Sequence, residues 1–165
     1  MKIIISSLLI LFFSTLSHAE SQFGINYTSI DIEADILGVK ISGPSPDMLV
    51  GKYSVNQGGN MSSELRLGIG LGEDKWMGTE WEIKNMFGAY LKWHMSDSEV
   101  KPYLITGFTK GKLKISADFS NVSESEDDFS YGAGLDFSNG LNLEYMNYLD
   151  KDGLSFQGLG VGFNF

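Results

Sequence analysis

Apolar side chains alternate with polar ones or glycine in eight separate runs of this 165-residue chain. A period of two is the signature of strands with two unlike faces. A period of 3.6 is scarce, so an all-β chain is expected. The run FGINYTS (23–29) sets Phe23, Ile25 and Tyr27 against Gly24, Asn26 and Thr28. LVGKYSV (49–55) sets Leu49, Tyr53 and Val55 against Val50, Lys52 and Ser54. In ELRLGIGLG (64–72), Leu65, Leu67, Ile69 and Leu71 oppose Glu64, Arg66 and three glycines. IKNMFGAYLKWH (83–94) places Phe87, Ala89, Leu91 and Trp93 opposite Met86, Gly88, Tyr90 and Lys92. PYLITGFTKGKL (102–113) alternates poorly, and its faces stay unassigned. FSYGAGLDF (129–137), LNLEYMNYL (141–149) and the tail from about Leu154 through LGVGFNF (159–165) alternate again.

Alternation alone does not say which face meets water. A soluble barrel puts its apolar set inside, and a membrane barrel puts it outside against lipid. Size favours the second arrangement. The interior of an eight-stranded barrel is just wide enough to be filled by side chains. The apolar set here is crowded with Leu, Phe, Tyr and Trp. The opposite set carries Gly24, Gly68, Gly70, Gly88, Gly132, Gly134, Gly160 and Gly162. Bare glycine weakens a solvent-facing strand, but in a crowded lumen it makes room. The fold expected is a closed eight-stranded antiparallel up-and-down transmembrane β-barrel. The alternative is a soluble periplasmic barrel holding an apolar ligand inside.

Charges of both signs fall on the glycine-bearing faces: Glu64, Arg66, Lys84, Lys92, Asp136 and Glu144. Unpaired and away from water, each would be costly. Paired across a lumen, they would form a polar network that plugs it. In a soluble sheet the same residues would be solvated surface charges.

The N-terminus bears on location. Met1-Lys2 is followed by a largely apolar stretch from Ile3 to Leu16, and Ser17-His18-Ala19 supplies small residues at a cleavage site. Residues 1–19 read as a secretory signal peptide, with cleavage near Ala19 and a barrel domain over 20–165. An uncleaved N-terminal anchor is the alternative, but the apolar stretch is short for a spanning helix. The formal charge is −9. That balance argues against a nucleic-acid partner. The chain has no cysteine, which removes disulfides and thiolate metal sites.

Connections after the odd-numbered runs are mostly long and polar (31–47, 73–82, about 114–128), and those after the even-numbered runs are short. The DKDG hairpin (150–153) after the seventh run is the exception. In lipid every backbone polar group must be satisfied, so the last run must pair with the first.

The leader, the eight alternating runs, KPYLITGF, SYGAGLDF, LNLEYMNY and the terminal phenylalanine together resemble the opacity-type, porin-like family of small outer-membrane β-barrels. The resemblance spans residues 20–165. It implies an outer-membrane location, both termini in the periplasm and longer loops at the cell surface. It also implies that Val161, Phe163 and Phe165 form the signal read by the barrel-assembly machinery. The short DKDG loop departs from a pattern of four long surface loops.

The expected role is structural, or a surface interaction made through the outer loops. Expected partners are outer-membrane lipids, lipopolysaccharide, and a host or environmental surface ligand. The alternative is a narrow porin for small solutes. No cofactor is expected. His94 and Ser96 have the spacing of the His-x-Ser pair found in outer-membrane lipid A deacylases, and that spacing shares one face. They fall at a periplasmic turn on the lumen face, far from the outer leaflet, so the pair reads as polar turn residues. GIGLGEDK (68–75) lacks the helix that a phosphate-binding loop requires. The acidic stretches DIEAD (31–35) and SESEDD (123–128) lack calcium-loop spacing and read as solvated, mobile loops. Trp76, Trp81 and Trp93 are expected near the membrane interfaces, or, for Trp76, packed in a loop.

Overall fold

Aromatic and β-branched residues at period two, with only three prolines in the chain, favour long continuous ladders. The computed structural model describes residues 20–36, 39–76, 78–117, 120–151 and 154–165; the leader lies outside the described residues. Eight long strands form the wall. They are β1 (Ser21–Ile36), β3 (Asp47–Gly58), β4 (Met61–Gly70) and β6 (Thr79–His94), then β7 (Val100–Ala117), β8 (Ser120–Phe137), β9 (Leu141–Lys151) and β10 (Leu154–Asn164). Two short strands, β2 (Val39–Ser42) and β5 (Glu73–Trp76), pair with β1 and β6 beyond the wall. Each long strand runs antiparallel to its sequence neighbour, and β10 pairs back with β1 from Gly24↔Asn164 to Ala34↔Leu154. The barrel is closed. Phe23 and Phe165 exchange both backbone hydrogen bonds, at 3.0 and 2.8 Å, so the last residue of the chain lies within the seam.

One end has short turns. Gly58 and Gly59 take φ of 98° and 61° there, a left-handed turn that glycine adopts without steric cost. The other end differs from the loops expected over 31–47, 73–82 and 114–128. Most of those residues are strand. β7 and β8 stay paired from Val100↔Phe137 out to Ala117↔Ser120. DIEAD and SESEDD likewise lie in β1 and β8. These segments leave the apolar belt, so neither face needs to be apolar and the alternation vanishes while the ladder continues. Polar pairs such as Lys110↔Asp127 stand opposite one another. Lys75 and Glu80 meet at 2.8 Å across the β5–β6 hairpin. Their hydrogen bond and opposite charges raise the Lys75 ammonium and hold the Glu80 carboxyl below its ordinary value.

The outer surface is apolar. Phe23, Ile25, Leu67, Phe87, Phe108, Phe129, Leu159 and Phe163 are all exposed. From Met61 to Leu71 the outer face advances ten residues, about 33 Å along a strand. At a tilt near 40° this gives about 25 Å of height, the span of a membrane barrel's apolar band. Phe108 and Phe129 meet edge-on at 5.7 Å within this belt. Glycine faces the crowded interior: a Cβ on Gly88 would strike the Tyr90 ring, and one on Gly134 would strike the Tyr103 ring. The faces of β7 also resolve. Tyr103, Ile105 and Thr109 point inward, and Leu104 and Phe108 point outward. Both sets contain large apolar residues, which is why the alternation was unreadable.

Candidate functional site in the barrel lumen

The lumen is built in two layers. Toward the short-turn end it is charged. Arg66 on β4 donates through Nε to Glu64 at 2.6 Å and through both terminal nitrogens to Glu144 on β9, each at 2.6 Å. The guanidinium stacks on the Tyr90 ring, 4.8 Å from its centroid. A planar fork facing a carboxylate is the geometry that fixes Arg rather than Lys at this position. Tyr103 on β7 donates to Glu144 at 2.8 Å and accepts from Asn142 at 2.8 Å. Lys92 on β6 pairs with Asp136 on β8 at 2.6 Å, and His94 reaches the same oxygen at 2.8 Å. Lys52 on β3 and Asn26 on β1 both donate to Asn142, at 3.0 and 2.9 Å. Asn164 on β10 donates to Asp136 at 2.9 Å.

This single network therefore takes a side chain from every one of the eight wall strands. Its cations are Lys52, Arg66 and Lys92, and its anions are Glu64, Asp136 and Glu144, so formal charge balances across the lumen. Arg66 and Glu64 are each 1% exposed. Of the six charged residues expected here, Glu64, Arg66, Lys92, Asp136 and Glu144 meet. Lys52, Asn26, Asn142, Tyr103, His94 and Asn164 join them. Lys52 was visible on the inward face of its run. Tyr103 was hidden in the run whose faces were unassigned.

Lys84 is a correction. It lies on the outer side, half-exposed, and bonds Glu82 at 2.6 Å. The cause is a β-bulge: the β6–β7 register shifts between Ile83 and Asn85. One extra residue inverts the parity of everything before it. The same inversion turns Trp81 inward, although it was expected near a membrane interface. Ile83 and Met86, three residues apart, are consequently both buried on the lumen side. Replacing Lys84 with methionine should change folding stability by no more than about 0.5 kcal/mol, as at other exposed sites. The corresponding Lys92→Met change should cost several times more, because it strands Asp136. Urea unfolding of both variants in lipid checks the contrast.

His94 and Ser96 are not partners. His94 is bound to Asp136, and the Ser96 hydroxyl meets the Ser98 hydroxyl at 3.0 Å.

Above the charged layer the lumen becomes apolar. A hydroxyl chain runs from Tyr90 through Thr109 to Ser130, at 2.5 and 2.6 Å, and ends on the Tyr148 carbonyl at 2.9 Å. Beyond it, Ile30, Met48, Ile83, Met86, Tyr148 and Phe156 surround a cavity of about 240 Å³.

An apolar belt outside, a closed ladder and an ion network buried within define a membrane-spanning β-barrel. The chain belongs to the family of the outer membrane protein β-barrel domain, whose model matches residues 5–165, and it is an integral outer-membrane protein. Three solved barrels share the fold. One is Ail, the attachment invasion locus protein of Yersinia pestis (21% identity, TM-score 0.57, covering 90% of this chain and 99% of that one). Another is Neisserial surface protein A (12% identity, TM-score 0.67, covering 90% and 98%). The third is the N-terminal β-barrel domain of Pseudomonas aeruginosa OprF (18% identity, TM-score 0.55, covering 88% and 100%). A sequence search of curated proteins gives no significant match.

Proposed function

We propose that this protein is a sealed, non-catalytic barrel that acts through the hairpins at its long end, which face the cell exterior. The observation that carries the reading is the charge-balanced network tied to all eight strands, since a lumen crossed by paired charges has no open water path. His94 and Ser96, each engaged elsewhere, offer no nucleophile–base pair. Similar barrels point the same way: Ail is an attachment invasion locus protein and has been solved with the heparin analogue sucrose octasulfate, and another is a surface protein. The proposed partners are lipopolysaccharide around the belt and a host or environmental surface at the hairpins. Residues 1–19 act as a signal peptide cleaved near Ala19. The terminal strand, with Val161, Phe163 and Phe165, is the assembly signal for the barrel-assembly machinery.

Two measurements test the reading. Purified protein in planar bilayers should show no steady conductance; regular single-channel steps would replace the sealed barrel with a narrow pore. Cells whose barrel has the β7–β8 hairpin trimmed beyond Lys112 and Ser125 should lose adhesion or serum resistance. If adhesion, serum resistance and envelope integrity all persist, the surface role falls.

A further inference from the structure

The apolar cavity has three properties that a packing defect would not combine. It has a rim at the long end, where Lys112, Glu126 and Lys151 line it and are exposed. Its wall is weakest on one side. The β8–β9 ladder stops at Tyr131↔Asn147, whereas the β7–β8 ladder continues to Ala117↔Ser120. Beyond that point β8 and β9 are joined through side chains: Ser130 donates to the Tyr148 carbonyl at 2.9 Å, the Asp150 N–H donates to Asp128 at 3.0 Å, and Glu126 and Lys151 form an exposed ion pair of 3.1 Å. Finally, it has an unused donor: the indole N–H of Trp81, in the cavity wall, is buried without a hydrogen-bond partner. Buried donors are nearly always paired, so an orphan in a cavity wall points to an acceptor supplied from outside.

We infer that this cup binds one medium-length alkyl chain bearing a carboxylate, a class of ligand that neither the fold nor the surface role assigns. The apolar wall takes the chain. The carboxylate supplies an acceptor for the Trp81 indole N–H. The volume of about 240 Å³ is that of about eight water molecules, which suits one medium-length chain rather than two. The charged layer below seals the cup, so the ligand is held rather than passed. The inference rests on the sealed-barrel reading but not on any surface partner.

Gly111 provides a clean test. It lines the cavity, and a Cβ built on it meets no atom within 4 Å. Gly111→Phe should therefore fold and fill the cup. The probe is sodium octanoate, titrated against protein in lipid nanodiscs with Trp76→Phe and Trp93→Phe, so that Trp81 is the sole indole. A saturable change in Trp81 emission is expected, weakened at least tenfold by Gly111→Phe. Retention of the unboiled, fast-migrating gel band would show that the variant is folded. A second variant, Leu113→Trp in a Trp81→Phe background, should also respond to octanoate, because Leu113 lines the same cavity. A response that is linear, or equally strong in folded Gly111→Phe, would overturn the site. Equal binding of octylammonium would overturn the carboxylate. Bilayer conductance reports failure of the sealed barrel separately.

Discussion

Arg66→Leu is expected to lower the barrel's folding stability by about 3–5 kcal/mol, the usual cost of removing one partner from a buried ion network. Arg66 satisfies Glu64 and Glu144 with three hydrogen bonds. Leucine leaves both carboxylates buried without their guanidinium partner, while Lys92 is paired with Asp136 and Lys52 bonds the Asn142 amide. Urea unfolding in phospholipid vesicles should show the midpoint falling in proportion. The network view makes a further demand. Adding Glu64→Gln and Glu144→Gln to Arg66→Leu removes the stranded charge and should recover much of the loss. A triple variant no better than Arg66→Leu alone would mean that Arg66 acts through packing on Tyr90 rather than through charge.

The adjacent residue should be sensitive to the reverse substitution. Leu67 is 66% exposed on the belt and sits between Gly51 and Phe87 on the neighbouring strands. It stands near mid-height between Met61 and Leu71. Leu67→Arg would set a guanidinium against hydrocarbon and should cost about 2–4 kcal/mol. In a soluble barrel the same change would be close to neutral. Measuring refolding in lipid and in detergent separates the two, because the penalty should shrink where water reaches the belt. Arg66 and Leu67 thus form a pair in which the charge is required at one position and excluded from the next.

Much of this architecture was legible because alternation and glycine placement report one physical fact from two sides. Large side chains on one face and bare backbone on the other describe a narrow interior whatever the loops do. Charge pairing was legible in kind: Glu64, Arg66 and Glu144 sit on inward faces whose burial demands partners. The partner list was not legible, because which strands stand opposite each other across a barrel depends on closure and tilt rather than on local sequence. Two failures share a different cause. Lys84 and Trp81 were misplaced because a bulge has no signature in a string of residues that alternate equally well on both sides of it. The hairpins read as loops in the sequence because amphipathicity is the local signal for strand. A ladder standing in water has no reason to be amphipathic, and β7–β8 is held there by its backbone bonds and polar cross-strand pairs. The apolar upper lumen is partly visible in Val50 and Met86, which fall among the inward-facing residues. Charged residues on the same faces mask it, since they alone suggest a uniformly polar lumen.

The bulge at Ile83/Asn85 gives the chain an unusual inheritance. Every side chain on β6 before it owes its environment to a single inserted position. Loss of one codon there would exchange Trp81 and Ile83 for Glu80 and Glu82 on the inner wall. The cup would then become an acidic mouth while the lower barrel kept its register. The recognition chemistry of such a protein can therefore turn over in a single genetic event, with no intermediate series of point substitutions.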